Sequence, residues 1–134
     1  MIEYIGSFPP DTIINSPHKR FKGPALLYFF ANLEGAVIYV GQTRGSMRTR
    51  LTSHGDNRTT GFVDGNYWGH IALVHICALP PTISQGELDT IEARLIKEFA
   101  PEFNTCHFPR KTRRKKQDIR RLGFDFAQVQ RIVG

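Results

Sequence analysis

Nineteen residues, Ala25 to Thr43 (ALLYFFANLEGAVIYVGQT), constrain this chain more than any other stretch. Ala25 to Ala31 is an unbroken apolar and aromatic run, and Ala36 to Val40 is a second. Both are rich in residues that fit a pleated, buried surface. Asn32-Leu33-Glu34-Gly35 between them has the turn chemistry of a hairpin. Tyr28 lies in the first predicted strand and Tyr39 in the second. Taken alone, the stretch is a buried β-hairpin whose tyrosines are core residues with their hydroxyls at water.

The rest of the chain reads as one domain around this hairpin. Its 134 residues suffice for a real core. The N-terminus shows no basic segment leading into an apolar one, so no signal peptide is expected. No apolar run approaches the roughly 18 residues of a membrane helix. Cys77 and Cys106 do not form a Cys-x-x-Cys pair, which argues against a zinc knuckle or redox motif. A reduced, cytoplasmic setting is expected.

Charge is concentrated at one end. Phe108 to Gly134 carries nine Lys or Arg against two Asp, a charge of +7, whereas residues 1–107 sum to −1. A clustered positive field favours a polyanion such as DNA. The densest part comprises Arg110, Lys111, Arg113, Arg114, Lys115 and Lys116, the expected DNA-binding residues; otherwise the run is a solvated tail.

Residues 1–23, with Pro9, Pro10 and Pro17, read as an irregular arm in which Thr12-Ile13-Ile14 makes one short strand. A helix is predicted over 46–54, capped by Ser46, with Met47 and Leu51 facing inward. Arg50 and His54, four residues apart, share another face. Gly55 to Gly69 is a polar, Gly-rich loop. His70 to Leu79 is a strand, apolar on both faces and therefore central, with His75 a satisfied core histidine. Ser84 and Glu87 form a capping box that opens a helix running to Ala100. Leu88, Ile91, Leu95, Ile96 and Phe99 are its apolar stripe, and Glu92 falls inside it. A buried, unpaired carboxylate is costly, so Glu92 is expected either to pair, to reach water or to bind metal. Pro101 to Asn104 is a turn, and the last helix or helices carry Ile119, Leu122, Phe126, Val129 and Ile132, with Gly123 as a break.

These pieces together resemble the GIY-YIG nuclease superfamily over about residues 24–105. Leu26-Leu27-Tyr28 stands where the family has Gly-Ile-Tyr, and Tyr39-Val40-Gly41 where it has Tyr-Ile-Gly. Arg50 with His54 matches its arginine helix. Ile91-Glu92-Ala93-Arg94-Leu95-Ile96, followed by Pro101, Phe103 and Asn104, matches its glutamate helix and closing turn. Five blocks in the right order make a specific signal. Leu26 departs from the family's glycine, the nearest one being Gly23, and residues 108–134 have no counterpart in the minimal domain.

The resemblance implies an α/β domain at 24–107, with a small mixed or antiparallel sheet of about three strands flanked by helices. It implies a divalent-metal-dependent endonuclease that hydrolyses phosphodiester bonds in DNA. Glu92 would hold Mg²⁺ or Mn²⁺, since one carboxylate suffices for an ion that keeps most of its waters. Arg50 would clamp the phosphate in a planar fork. Tyr28 would activate the water. Making tyrosinate at pH 7 costs roughly 4 kcal/mol, and the metal and Arg50 would lower that. His54 is the other candidate base. Tyr39 would position water or phosphate, Gly41 would let the strand end meet the arginine helix, and Asn104 would hold the site together. No Asp-x-Lys or Glu-x-Lys nuclease pair, Walker A loop, Gly-x-Ser-x-Gly or His-Glu-x-x-His motif is present. The alternative is a catalytically idle nucleic-acid-binding module on the same fold. A generic RNA-binding domain ranks last, since no aromatic RNP pattern is found. One centre cuts one strand, so a double-strand break would need a homodimer or two successive nicks.

Overall fold

The computed structural model describes residues 2–17, 21–56, 71–101, 104 and 123–134, with 53–56 described by their backbone. A four-stranded sheet, helices on both faces, forms the centre. The strands are β1 (Glu3–Phe8), β2 (Leu26–Ala31), β3 (Val37–Thr43) and β4 (Leu73–Ala78). Their spatial order is β1-β4-β2-β3, and every neighbouring pair is antiparallel. The helices are α1 (Pro10–Ile14), α2 (Met47–Asp56), α3 (Gln85–Phe99) and α4 (Phe126–Val133).

The hairpin forms as the composition dictates. Asn32 closes the turn by accepting from the Ala36 amide through Oδ1 and from the Gly35 amide through its carbonyl. Gly35 takes a φ of +87°, a conformation that glycine adopts without a Cβ penalty. All six side chains of β2 are buried, because β2 is central and both its faces are covered.

The side chains of β2 divide between two cores. Leu27 and Phe29 join Val40, Cys77, Leu88, Leu95, Phe99 and Val129 under α3 and α4. Leu26, Tyr28 and Phe30 join Ile13, Phe21, Met47, Leu51, Val74 and Ile76 under α1 and α2. Leu26, at the position where the family has glycine, is thus a core residue, packed beside Gly23. Period-2 alternation turns one apolar run into two hydrophobic faces.

The N-terminal residues differ from the sequence reading. They add a fourth strand rather than an irregular arm, and Thr12-Ile13-Ile14 is helical, not extended. Pro10 sits in the first turn of α1, where a missing N–H costs nothing, and Ile13 is driven into the core. β1 escaped notice because its pattern is broken. Its register against β4 shifts between Tyr4 and Gly6, leaving Ile5 exposed. β3 lies at an edge, and β4, expected to be central, is the second inner strand beside β2.

The helices predicted over 46–54 and 84–100 form. Ser46 accepts from the Arg48 and Thr49 amides at the start of α2, which continues two residues past His54. The Ser84–Glu87 capping box is made reciprocally at the start of α3. Ala100 ends α3 in the left-handed conformation, ahead of Pro101. Most of the predicted 55–69 loop, Cys106 and the basic run Arg110 to Lys116 lie outside the described residues. The chain is nevertheless anchored beyond that run, because Phe124, Phe126 and Val129 pack on the core. No helix among the described residues is long and apolar enough to cross a membrane.

His75 is the core histidine expected from β4. Its ring stacks on Phe124 at 4.1 Å, and Nδ1 is hydrogen-bonded to the Tyr4 hydroxyl at 2.9 Å. Burial lowers its pKa to about 4. Unfolded, the group titrates near 6.5. Between those values the unfolded chain takes up a proton that the folded chain refuses, so stability falls as pH drops through that window. Chemical denaturation at pH 7.5 and pH 4.5 should show a loss on the order of 2–3 kcal/mol from this residue. His75→Phe should flatten that part of the pH dependence.

Candidate active site at the edge of the sheet

The site is built from the β2–β3 ladder outward. Tyr28 pairs with Gly41 across the two strands, and Phe30 with Tyr39. Gly41 carries no side chain, and the Tyr28 ring lies over it. A Cβ at position 41 would come within 2.8 Å of the ring Cε1 and 2.5 Å of the hydroxyl, closer than real Cβ contacts allow. Gly41 therefore makes room for the tyrosine. Tyr39 flanks Tyr28 with ring centroids 6.2 Å apart, and is itself only half-buried.

α2 brings Arg50 to this ring. Met47 and Leu51 are buried on its inner side, so Arg50 falls at the margin of the buried surface. The helix is tied to the chain before β2 by the Met47 amide, which donates to the Phe21 carbonyl at 2.8 Å. Arg50 Nε donates to the Tyr28 hydroxyl at 2.9 Å. The rest of the Arg50 side chain reaches the surface, an arrangement suited to an anionic ligand.

The electrostatics at Tyr28 run against easy ionisation. Burial raises its pKa most, the Tyr39 and Glu92 charges add to that, and Arg50 opposes them. Arg50 lowers the pKa as the sequence reading expected, but burial outweighs it, and the net result is a phenol held well above its ordinary pKa. Arg50 is itself held more firmly protonated, chiefly by Tyr28 and also by Tyr39 and Glu92. The Glu92 charge acts on both Tyr28 and Arg50, so residues from β2, α2 and α3 lie within electrostatic reach of one another.

Glu92 projects from the sheet-facing side of α3, half-buried among Leu88, Leu95 and Ile96. It is paired, but with an amide rather than an arginine: Gln42 Nε2 donates to Oε1 at 2.9 Å. The same Nε2 donates to Asp89 Oδ1 at 2.7 Å. Gln85 Nε2 donates to Gln42 Oε1 at 2.9 Å and to Asp89 Oδ1 at 2.8 Å. Arg44 Nε donates to Gln85 Oε1 at 2.8 Å, and its Nη2 donates to the Ile83 carbonyl. The two glutamine donors are the main reason the Asp89 carboxyl is held below its usual range. Sequence reasoning missed Gln42, Arg44, Gln85 and Asp89. Two signals pointed to them: Gln42 directly follows Gly41, and Gln85, Asp89 and Glu92 recur at helical spacing on one side of α3.

Asn104 secures the free edge. Its Oδ1 accepts from the Val40 amide and its Nδ2 donates to the Val40 carbonyl, both at 2.9 Å. A buried side-chain amide thus acts as one more rung of sheet beside the Tyr39-Val40-Gly41 segment. An edge strand otherwise presents unpaired backbone groups. His54 lies on α2 one turn beyond Arg50, and its side chain is outside the described residues.

A family profile for the GIY-YIG catalytic domain matches residues 24–105, a span that contains every residue of this cluster. The chain belongs to the GIY-YIG nuclease superfamily. No curated protein and no solved structure gave a significant match. The GIY-YIG match begins just before β2 and ends just after Asn104, so β1, α1 and α4 are additions on either side of the family's core.

The packing of Tyr28 on Gly41 makes a sharp expectation. Gly41→Ala should displace the Tyr28 ring, break its bond to Arg50 and cost about 1–3 kcal/mol in stability, the usual range for overpacking. Near-ultraviolet circular dichroism and thermal melting would detect it. A melt and tyrosine spectrum like those of the parent would contradict the close packing.

Proposed function

We propose that the protein is a divalent-metal-dependent endonuclease that hydrolyses phosphodiester bonds in DNA. The observation that carries this reading is the convergence of a buried tyrosine, a phosphate-suited arginine and a half-buried glutamate at one sheet edge, in a chain of nuclease-family membership. A binding module has no need of Glu92 in an apolar stripe.

The donor set fits a hard cation. Glu92 offers carboxylate oxygen, and among the described residues no group of three His, Cys, Asp or Glu is arranged to hold a metal. That suits Mg²⁺ or Mn²⁺, which keep several waters and substrate oxygens, better than a closed zinc site. Bound at Glu92, such an ion would supply positive charge beside the scissile phosphate. Arg50, steadied at Nε by Tyr28, presents its remaining N–H groups to phosphate oxygens. Asn104 and Gly41 keep β3 and the Tyr28 ring in register.

Tyr28 serves as the base that takes the water's proton, acting as the tyrosinate formed when the phenol first releases its own proton to solvent. Its resting form is the neutral phenol. Neutralising the Glu92 charge withdraws one of the influences that hold the proton on, leaving Arg50's pull less opposed. His54, one turn along α2, is the competing base. The two differ in pH dependence. With Tyr28 as base, the rate at saturating metal should climb about tenfold per pH unit through neutrality, without a plateau near 7. With His54 it should level off above roughly 6.5–7, and His54→Ala should remove that limb.

Supercoiled plasmid incubated with Mg²⁺ or Mn²⁺ should be nicked, and chelation by EDTA should stop it. Glu92→Ala should abolish cleavage while leaving the thermal melt close to that of the parent. Tyr28→Phe should reduce the rate by about 10²–10⁴, the range for a general base. Cleavage by Glu92→Ala at the parental rate would remove the metal assignment. An inactive parent that still binds DNA would favour the idle binding module.

Much of the DNA affinity is assigned to Arg110, Lys111, Arg113, Arg114, Lys115 and Lys116 through bonds to phosphate, because residues 1–107 carry a net charge of −1. Truncation is a poor test, since α4 packs on the core beyond the run. Replacing the six residues with glutamine should weaken binding. Its log–log salt dependence on duplex DNA should become shallower by roughly 0.9 for each phosphate that is no longer neutralised. The rate at saturating DNA should not change. Parental affinity and salt slope would make the run a solvated segment.

A further inference from the structure

We propose that Gln42 is a positioning residue for the Glu92 carboxylate, oriented by Gln85 and Arg44. This rests on the reading of Glu92 as the cation-binding group. An amide offers two donors on nitrogen and an acceptor on oxygen, and both glutamines use all three. Gln42 Nε2 sends one N–H to Glu92 Oε1 and one to Asp89 Oδ1, while its Oε1 accepts from Gln85. Gln85 Nε2 is shared between Gln42 and Asp89, and its Oε1 accepts from Arg44.

The direction of this chain is forced. Arg44 can only donate, and it is fixed by the carbonyls of Pro24 and Ile83. Gln85 must therefore turn its oxygen to Arg44 and its nitrogen to Gln42. Gln42 must then turn its oxygen to Gln85 and its nitrogen to the carboxylates. At the far end Asp89 and Glu92, when ionised, can only accept. Flipping either amide would set oxygen against oxygen at one end and N–H against N–H at the other. A donor-only group and two acceptor-only groups thus lock two amides that would otherwise rotate.

The consequence falls on Glu92. Asp89 and Glu92 are like charges three apart on α3 and repel each other. One nitrogen from β3 draws both onto itself, so Glu92 is held against the strand that carries Tyr39 and Gly41. Without that donor, repulsion from Asp89 and the pull of water favour a rotamer turned away from the strand. Partners that fix a ligand's orientation typically change metal affinity 10- to 100-fold.

The test uses the full chain and Mn²⁺ alone, without DNA, titrated calorimetrically. Gln42→Leu keeps much of the side-chain volume and removes the donors. It should weaken Mn²⁺ binding at least tenfold and raise the Mg²⁺ concentration needed for half-maximal plasmid nicking by a similar factor. The rate at saturating Mg²⁺ should largely recover. Gln85→Leu, on an exposed position of α3, should shift both quantities the same way by a smaller factor, and carries the test should Gln42→Leu not fold. A purely structural role for Gln42 would lower the melting temperature and leave the Mn²⁺ affinity of the folded protein unchanged. Parental or tighter Mn²⁺ binding in Gln42→Leu or, should that not fold, in Gln85→Leu, with binding lost in Glu92→Ala, overturns the positioning role and leaves Glu92 as the ligand. Parental Mn²⁺ binding in Glu92→Ala overturns both.

Discussion

The contact on which the rest of the site depends is the Tyr28 ring lying over Gly41. It joins the two strands of the hairpin through side chain as well as backbone, and it sets the depth of the hydroxyl below the surface. Burial keeps that hydroxyl neutral, and Arg50 is the donor that satisfies it. α2 must therefore lie where its arginine can reach, and Met47 and Leu51 on the same helix are the core residues that put it there. A methyl group on position 41 would disturb each of these at once.

Around that contact, the two sheet faces divide the work. One packs Tyr28 and Phe30 under α1 and α2, the other packs Leu27 and Phe29 under α3 and α4. Arg50 comes from the first side and Glu92 from the second, and because β3 is an edge strand the Glu92 charge acts on Arg50 across it. An inner strand would have stood between them. The edge position leaves backbone groups to be satisfied, and Asn104 does so at Val40. The requirement for an open edge and the presence of a buried asparagine thus have one physical cause.

The polar lattice on α3 shows how neutral amide donors make a carboxylate in an apolar stripe tolerable. Gln42 reaches Glu92 from the strand, and the orientation of that amide is inherited through Gln85 from Arg44, anchored on backbone carbonyls. Neutral donors leave the carboxylate its charge, which an arginine partner would have offset. A group that is to attract a cation is better held by amides than by a guanidinium.

Local chemistry made much of this legible in the sequence. Turn residues, the capping box, the stop at Pro101 and the alternation of β4 act over a few neighbours, and each appears where the spacing put it. Tyr28, Arg50 and Glu92 could be picked out because they sit in blocks of fixed order and because Glu92 breaks an apolar stripe. β1 was not legible, since a bulged edge strand has no clean period and its partner lies about seventy residues away. Nor were Gln42 as the partner of Glu92, the Tyr28 ring as the reason for Gly41, or the raised pKa of Tyr28. Those are set by which strand is at the edge and how deeply each group is buried, and both follow from long-range packing that no local pattern encodes.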